Sequence, residues 1–388
     1  MFSARLDWTG RLNPLAELLA RKRAAGEQIL DLTESNPTHA AIEYPQAGIS
    51  QAFEDPRILR YDPNPFGSKE AREAVACYYG GRIDPDRIVL TASTSEAYAY
   101  LFKLLANPGD EILAPRPSYP LFEYLAQLEC IRVTQYPLFY DHGWHLDTHA
   151  LRRAVTERTR AVVIVNPNNP TGSYLKAHEA AELTAIAREC DLAIISDEVF
   201  SDYWLDQDSR RVSTLTTAED ALTFSLSGLS KTVGLPQMKL AWMVVSGPER
   251  AIRDALSRLE LIADTYLSVG TPVQVALARL LGMHEIAQQI RSRIAANLRF
   301  VRQVIGATAA RLLEVEGGWY ATLHMPRIRS EEDWALGLLE NENVLVQPGY
   351  FYDFESEPFL VLSLLTEPAI FREGVDRLAA HASALTRS

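Results

Sequence analysis

An α/β fold, with a mostly parallel central sheet in a large domain and a smaller α+β domain, follows from three observations. Short apolar runs alternate with helical stretches through the middle of the chain. From about residue 247 the pattern turns helical for a long stretch, and short strands return only after residue 312. The length, 388 residues, exceeds what one core commonly supports, which predicts two domains.

The elements follow in order. Asn13 is a cap and Pro14 a first helical residue for LAELLARKRAAG, which stops at Gly26. ILDLTESNPTH reads as a short strand and a polar turn, and GSKEAREAVACYYG (67–80) as a second helix. RIVLT (87–91), EILAP (111–115), RAVVIV (160–165), LAIIS (192–196), TFSLS (223–227) and LAWMVVS (240–246) are the apolar runs, several separated by helical stretches such as 95–106 and 177–189. That alternation predicts βαβ units and a sheet covered on both faces. ERAIRDALSRLELIAD and the long segment from PVQVALARLL supply the later helices, and a helix over 368–385 ends an α+β tail. Residues 46–284 are read as the large domain. Residues 1–45 and 285–388 are read as sharing the small one, since neither alone carries enough apolar sequence for a core.

Composition limits the function classes. With 47% hydrophobic and 23% charged residues the chain is an ordinary globular one. A net charge of −12 argues against a nucleic-acid footprint or an anionic membrane surface, so any phosphate must be held locally. No run of 18 apolar residues occurs, and MFSARLDWTG has no apolar h-region; the expectation is a cytoplasmic chain with neither signal peptide nor membrane span. Cys77, Cys130 and Cys190 lie widely spaced in apolar helical patterns, which predicts core thiols of a reducing compartment. His142, His145 and His149 fall in a polar loop without metal-ligand spacing, so no metal is expected.

The chemistry is concentrated just past the apolar runs. In open α/β sheets that is where ligands bind. After RIVLT come Ser93, Thr94 and Ser95, hydroxyl residues opening a helix, suited either to capping or to holding an anion on free N–H groups. After RAVVIV comes NPNNPTG (166–172), a rigid turn able to aim one carboxamide inward. LAIIS is followed by Asp197-Glu198, and TFSLS by Gly228-Leu229-Ser230-Lys231, where a lysine is either a solvated turn residue or a reactive amine. A carboxylate and an amine at two strand ends are what pyridoxal phosphate takes from a protein: an acid for its pyridinium nitrogen and a lysine for its aldehyde.

NPNNPTG, SDEVF, SGLSK and GLPQMKLAW, in this order and at these separations, resemble the class I/II pyridoxal-phosphate aminotransferases of fold type I, the aspartate aminotransferase-like enzymes. The likeness runs over almost the whole chain. It implies a ping-pong exchange of an amino group between an amino donor and an oxo acceptor through a Lys231 Schiff base. It implies Asp197 on the ring nitrogen, Asn169 on the ring 3′ oxygen, Tyr119 stacked on the ring, and Ser93, Thr94, Ser95 and Ser227 or Ser230 on the phosphate. It also implies a homodimer with shared active sites, in which Tyr61 reaches the neighbouring subunit's phosphate and the segment from Tyr266 to Gln274 crosses the interface.

Three positions depart from the family pattern. Lys239 stands where an arginine usually grips the phosphate, and supplies a point charge in place of a planar fork. Phe200 replaces a tyrosine that shares the 3′ oxygen. Val361, in FLVLSLL, stands where an arginine usually clamps the substrate carboxylate, and residues 359–365 hold no basic side chain. Arg116 and the Ser35-Asn36 backbone become candidates for that task, with Trp319 on the substrate side. The missing clamp keeps open a second reading, a lyase, decarboxylase or cyclase of the same fold. A DNA-binding regulator is disfavoured because only about thirty residues precede the cofactor region. SGLSKT is no P-loop, since Ser230 and Ser225 occupy its glycine positions, and no GxGxxG follows a strand.

Overall fold

In chain order the strands are β1 (Leu30–Asp31), β2 (Ile88–Thr91), β3 (Glu111–Arg116), β4 (Arg132–Tyr140), β5 (Trp144–Leu146), β6 (Thr159–Val165), β7 (Ala193–Asp197), β8 (Thr223–Gly228) and β9 (Ala241–Ser246). The carboxyl third adds β10 (Arg311–Leu312), β11 (Tyr320–His324), β12 (Val344–Leu345), β13 (Gln347–Pro348) and β14 (Phe359–Ser363). This computed structural model describes residues 2–6, 13–206, 208–356 and 358–387. Met1 and residues 7–10 of the MFSARLDWTG segment lie outside the described residues.

Strands β2 to β9 form one sheet in the order β2-β9-β8-β7-β6-β3-β4-β5. β8, β7, β6, β3 and β4 run parallel. β9 is inserted antiparallel between β2 and β8, and β5 is antiparallel to β4. The turns after β2, β3, β6, β7 and β8 therefore share one edge, where the candidate residues cluster. Alternation sends Val163, Ile195 and Phe224 into one core, and Val162, Ile164 and Ile194 into another on the opposite face. Two buried faces explain why these strands read as unbroken apolar runs.

Helices Pro14–Ala24, Lys69–Tyr78, Thr94–Leu105 and Ala177–Glu189 lie where the sequence placed them, followed by Glu249–Tyr266, Thr271–Leu281, His284–Ile305 and a last helix, Pro368–Arg387. The Asn13 cap forms, its side chain accepting from Ala16 N at 2.8 Å. β11 and β14 pair antiparallel within a four-stranded sheet, and β1 pairs parallel with β12, joining the two ends of the chain. One apolar core runs from Leu15 and Leu18 of the opening helix through Leu277 and Ile290 to Leu362 and Phe371.

Two local expectations are corrected. Cys77 and Cys130 are exposed and Cys190 is only half-buried, so these are not core thiols. Cys77 lies on the outer side of its helix, and Cys130 occupies a left-handed turn at φ 61°. The supposed polar loop around the histidines is structured as well: His145 lies in β5 and His149 in the helix Thr148–Ala154. β4 escaped notice because Gln135 and Pro137 interrupt its apolar pattern.

Candidate active site

Gly228 ends β8, and the short helical turn Leu229–Thr232 carries Lys231. The glycine is required by packing, since a Cβ there would lie 2.8 Å from the Ala241 Cβ of β9. Leu229 N donates to Leu240 O at 3.0 Å and Leu235 N to Leu229 O at 2.9 Å, which fixes the turn. Tyr203 adds a hydroxyl bond to Lys231 O at 2.6 Å. The Lys231 amine lies 4.6 Å from the centroid of the Trp319 ring and 5.6 Å from that of Phe200. Burial among these rings pushes the amine down to about 8, and Asp197 pulls the other way.

Asp197 is the last residue of β7. Its Oδ2 accepts from the Tyr98 hydroxyl at 3.1 Å and its Oδ1 from Val199 N at 3.3 Å. Burial pushes this carboxyl up to about 6, against those hydrogen bonds and the charge of Lys231. An acid moved up and a base moved down at neighbouring strand ends leave both groups able to exchange a proton near neutrality, the pattern of a working site. Beside it Glu198 is pushed up to about 7 by burial. Its carboxylate accepts from Ser196, Thr214 and the Leu215 amide, a structural task.

The asparagine turn sorts its three amides. Asn166 bonds Leu175 N at 2.9 Å and Val212 O at 2.8 Å. Asn168 donates to Pro117 O at 3.0 Å and to Thr171 at 2.9 Å. Asn169 is buried, and its Oδ1 has no partner. A buried amide left unpaired calls for a ligand, and either end of it can be turned to that ligand. A half-buried lysine, a buried carboxylate and an orphaned amide at one sheet edge fit pyridoxal phosphate, which asks for those three contacts.

The phosphate candidates lie along the same edge. Ser93 caps the helix Thr94–Leu105, its Oγ accepting from Glu96 N at 3.1 Å, with Thr94 and Ser95 half-buried beside it. Glu96 Oε2 accepts from Ala92 N at 2.7 Å and from Ser268 at 2.6 Å. Ser227 is buried and shares a hydroxyl contact of 3.1 Å with Thr232, while Ser230 is half-buried. Lys239 is exposed and left-handed, at φ 49°, a conformation that costs a non-glycine residue about 1–2 kcal/mol.

On the substrate side, Tyr119 is 37% exposed, and partial burial and the charge of Asp197 raise its phenol. Arg116 ends β3 and is ion-paired with Glu355, yet its Nε is buried without a hydrogen-bond partner. Ser35 lies by the Tyr320 phenol, which burial pushes up to about 12. Asn36 Oδ1 accepts from Thr38 N at 3.0 Å. Val361 is buried in the middle of β14, opposite Thr322, whose Oγ1 is buried and unpaired. Trp319 is fully buried and presents a ring face to Lys231. Tyr61 is 81% exposed. Sequence reasoning missed Tyr98 and Tyr203, whose hydroxyls reach Asp197 and Lys231 only through the tertiary fold.

The family described as Aminotransferase class I and II matches residues 27–378. The glutamate-pyruvate aminotransferase AlaA of Escherichia coli is 29% identical over 276 residues, covering 70% of this chain and 68% of that protein. The alanine aminotransferase of Mycobacterium tuberculosis is 27% identical over 384 residues, 94% of this chain and 88% of that one. Among solved structures, alanine aminotransferase from Pyrococcus furiosus superposes with a TM-score of 0.89 at 22% identity, covering 99% of this chain and 100% of that one. An aspartate aminotransferase from Thermus thermophilus gives 0.83 at 22% identity, with coverage of 98% and 99%. These likenesses show the fold type I architecture, and the relatives' names give no support to the lyase reading. The chain therefore belongs to the class I and II aminotransferases and is an enzyme that uses pyridoxal phosphate to transfer amino groups.

Proposed function

We propose that Lys231 is the residue joined to the cofactor and the base that carries the proton to and from the substrate's Cα. Asp197 holds the ring nitrogen protonated, with Tyr98 keeping the carboxylate in place. Asn169 binds the ring 3′ oxygen, and Tyr119 covers the ring face. Ser93, Thr94, Ser95, Ser227, Ser230 and Lys239 surround the phosphate. When bound, pyridoxal phosphate supplies an electron sink for the charge released at Cα. The observation that carries this reading is the Lys231 amine and the Asp197 carboxylate, displaced in opposite directions at neighbouring strand ends beside the unpaired Asn169 amide.

The amino donor and the oxo acceptor are small compounds exchanged in turn at this one site. Residues 359–365 offer no cation to a substrate carboxylate. We assign that role to Arg116, on the carboxyl edge of β3, with Ser35 and Asn36 alongside; the unpaired buried Nε of Arg116 supports it. Adding an amino donor alone should bleach the visible absorbance of the bound cofactor, and an oxo acceptor should restore it. No bleaching with any amino donor would refute amino transfer here. Arg116→Ala should raise KM for a donor bearing a carboxylate and leave KM for a simple amine unchanged; equal effects on both would remove Arg116 from the role.

The same reading includes a homodimer, residues 46–284 as the cofactor-binding domain and a cytoplasmic location. The exposed Tyr61 lines a cavity with Tyr100, Leu267 and Ser268, a surface suited to a second copy. Three unpaired cysteines accord with a reducing compartment. Sedimentation of the holoenzyme as a monomer would overturn the dimer.

A further inference from the structure

The turn between β10 and β11 crosses to the loops of the large sheet and is fastened there. Glu316 N donates to Gly172 O at 3.2 Å, Leu205 N to Glu316 O at 3.0 Å, and Gly318 N to Tyr203 O at 2.9 Å. The approach is so close that a Cβ on Gly317 would lie 2.7 Å from the Tyr174 ring. Within this crevice Glu316 is buried, and its Oε2 accepts from Tyr174 N at 2.7 Å and from Lys176 Nζ at 2.8 Å. Arg211 Nε adds a second positive contact at 3.7 Å. Lys176 is buried as well, and its Nζ donates to Tyr174 O at 2.6 Å. A buried carboxylate is tolerated only with such partners.

Three residues on stands Trp319, which backs the Lys231 amine at 4.6 Å and packs edge-on against Phe200 and Tyr203. We propose that Glu316 is a positioning residue: by fastening residues 316–318 to the Tyr174 amide, with Lys176 offsetting its charge, it holds the Trp319 ring against the amine of Lys231. The proposal rests on Lys231 being the reactive amine. The ring has two opposed effects, because it excludes water and also attracts a charged amine. The proposal takes exclusion as the larger effect, in keeping with burial as the first cause of the lowered Lys231 value, which the charge of Asp197 opposes. Loosening the ring therefore returns the amine toward its ordinary value of 10.5.

The test reads the amine without the cofactor. Apo-protein is reductively methylated with formaldehyde across a pH series, and modification at Lys231 is quantified by mass spectrometry. Two neutral double variants are compared. Glu316→Gln with Lys176→Met keeps an oxygen for Tyr174 N, and Glu316→Leu with Lys176→Met does not. The glutamine pair should keep the wild-type midpoint near 8. The leucine pair should raise it by about one unit, a tenfold loss of modification at a fixed pH below it. Equal midpoints in the two pairs would overturn the proposal. Should the leucine pair not fold, Trp319→Leu must give the same upward shift, and an unmoved midpoint there would overturn it too. Failure of amino transfer with these shifts intact would count against Lys231's assigned chemistry and not against Glu316.

Discussion

Tyr98 donates its hydroxyl to Asp197 at 3.1 Å, although 99 positions separate the two residues in sequence. The bond favours the charged carboxylate against a burial that pushes it up to about 6. Tyr98→Phe should raise the Asp197 value further. A hydrogen bond to a charged group is worth about 1.5–3 kcal/mol, so cofactor affinity should fall about tenfold or more, most steeply on the acid side. Titration of the apo-protein with pyridoxal phosphate at several pH values checks this; an unchanged affinity at every pH would exclude Tyr98 from the role.

Covalent capture of the cofactor needs a neutral amine. With Lys231 pushed down to about 8, the capture rate should climb through that pH and flatten above it, well below where an ordinary lysine at 10.5 would respond. Lys231→Ala should abolish capture that survives borohydride reduction. Stopped-flow absorbance over a pH series gives the midpoint.

Glu198 makes a prediction about stability. Its folded value is raised from 4.5 to about 7 by burial, so unfolding releases a proton between those pH values. Its contribution is fully present below pH 4.5 and is lost as pH rises through about 7. The span corresponds to roughly 3 kcal/mol. Urea unfolding of the apo-protein should show stability falling across this window. Glu198→Gln should flatten the slope, leaving the smaller, similarly signed part due to Asp197.

Gly172 takes φ +72°, and a Cβ on it would lie 2.5 Å from the Gly317 carbonyl oxygen. Gly172→Ala should therefore destabilise by about 2–4 kcal/mol, above the usual cost of a surface substitution. The denaturation midpoint measures it. An alanine variant as stable as the parent would mean that the turn at 316–318 can move aside.

Asn169 should separate from its neighbours. Asn169→Ala removes an unpaired amide and should weaken cofactor binding while leaving the melting temperature of apo-protein nearly unchanged. Asn166→Ala, which breaks bonds to Leu175 and Val212, should do the reverse and lower the melting temperature first.

The parallel sheet, the long helices and the positions of Lys231, Asp197 and the asparagine turn were legible because each rests on local pattern: apolar runs of strand length, ended by residues that cannot extend them. The choice of Asn169 came from resemblance; in the fold Asn166 and Asn168 are bonded elsewhere and the Asn169 Oδ1 is the one left unpaired. Tyr98 was hidden in a tyrosine-rich helix where every aromatic reads as core. The Lys176–Glu316 pair lies 140 positions apart, and no spacing rule reaches that far. β4 was missed because Pro137 and Gln135 are tolerated near a sheet edge, where a single-sequence pattern is weakest.

The pairing of Leu30 with Val344 and of Asp31 with Leu345 also has a consequence during biosynthesis. A ribosome delivers β1 early and its partner nearly last, so the opening helix leaves the exit tunnel with nothing to rest on until translation is almost complete. Nascent chains stalled before codon 344 should thus expose Leu15 and Leu18, making this amino-terminal stretch the natural handle for a chaperone.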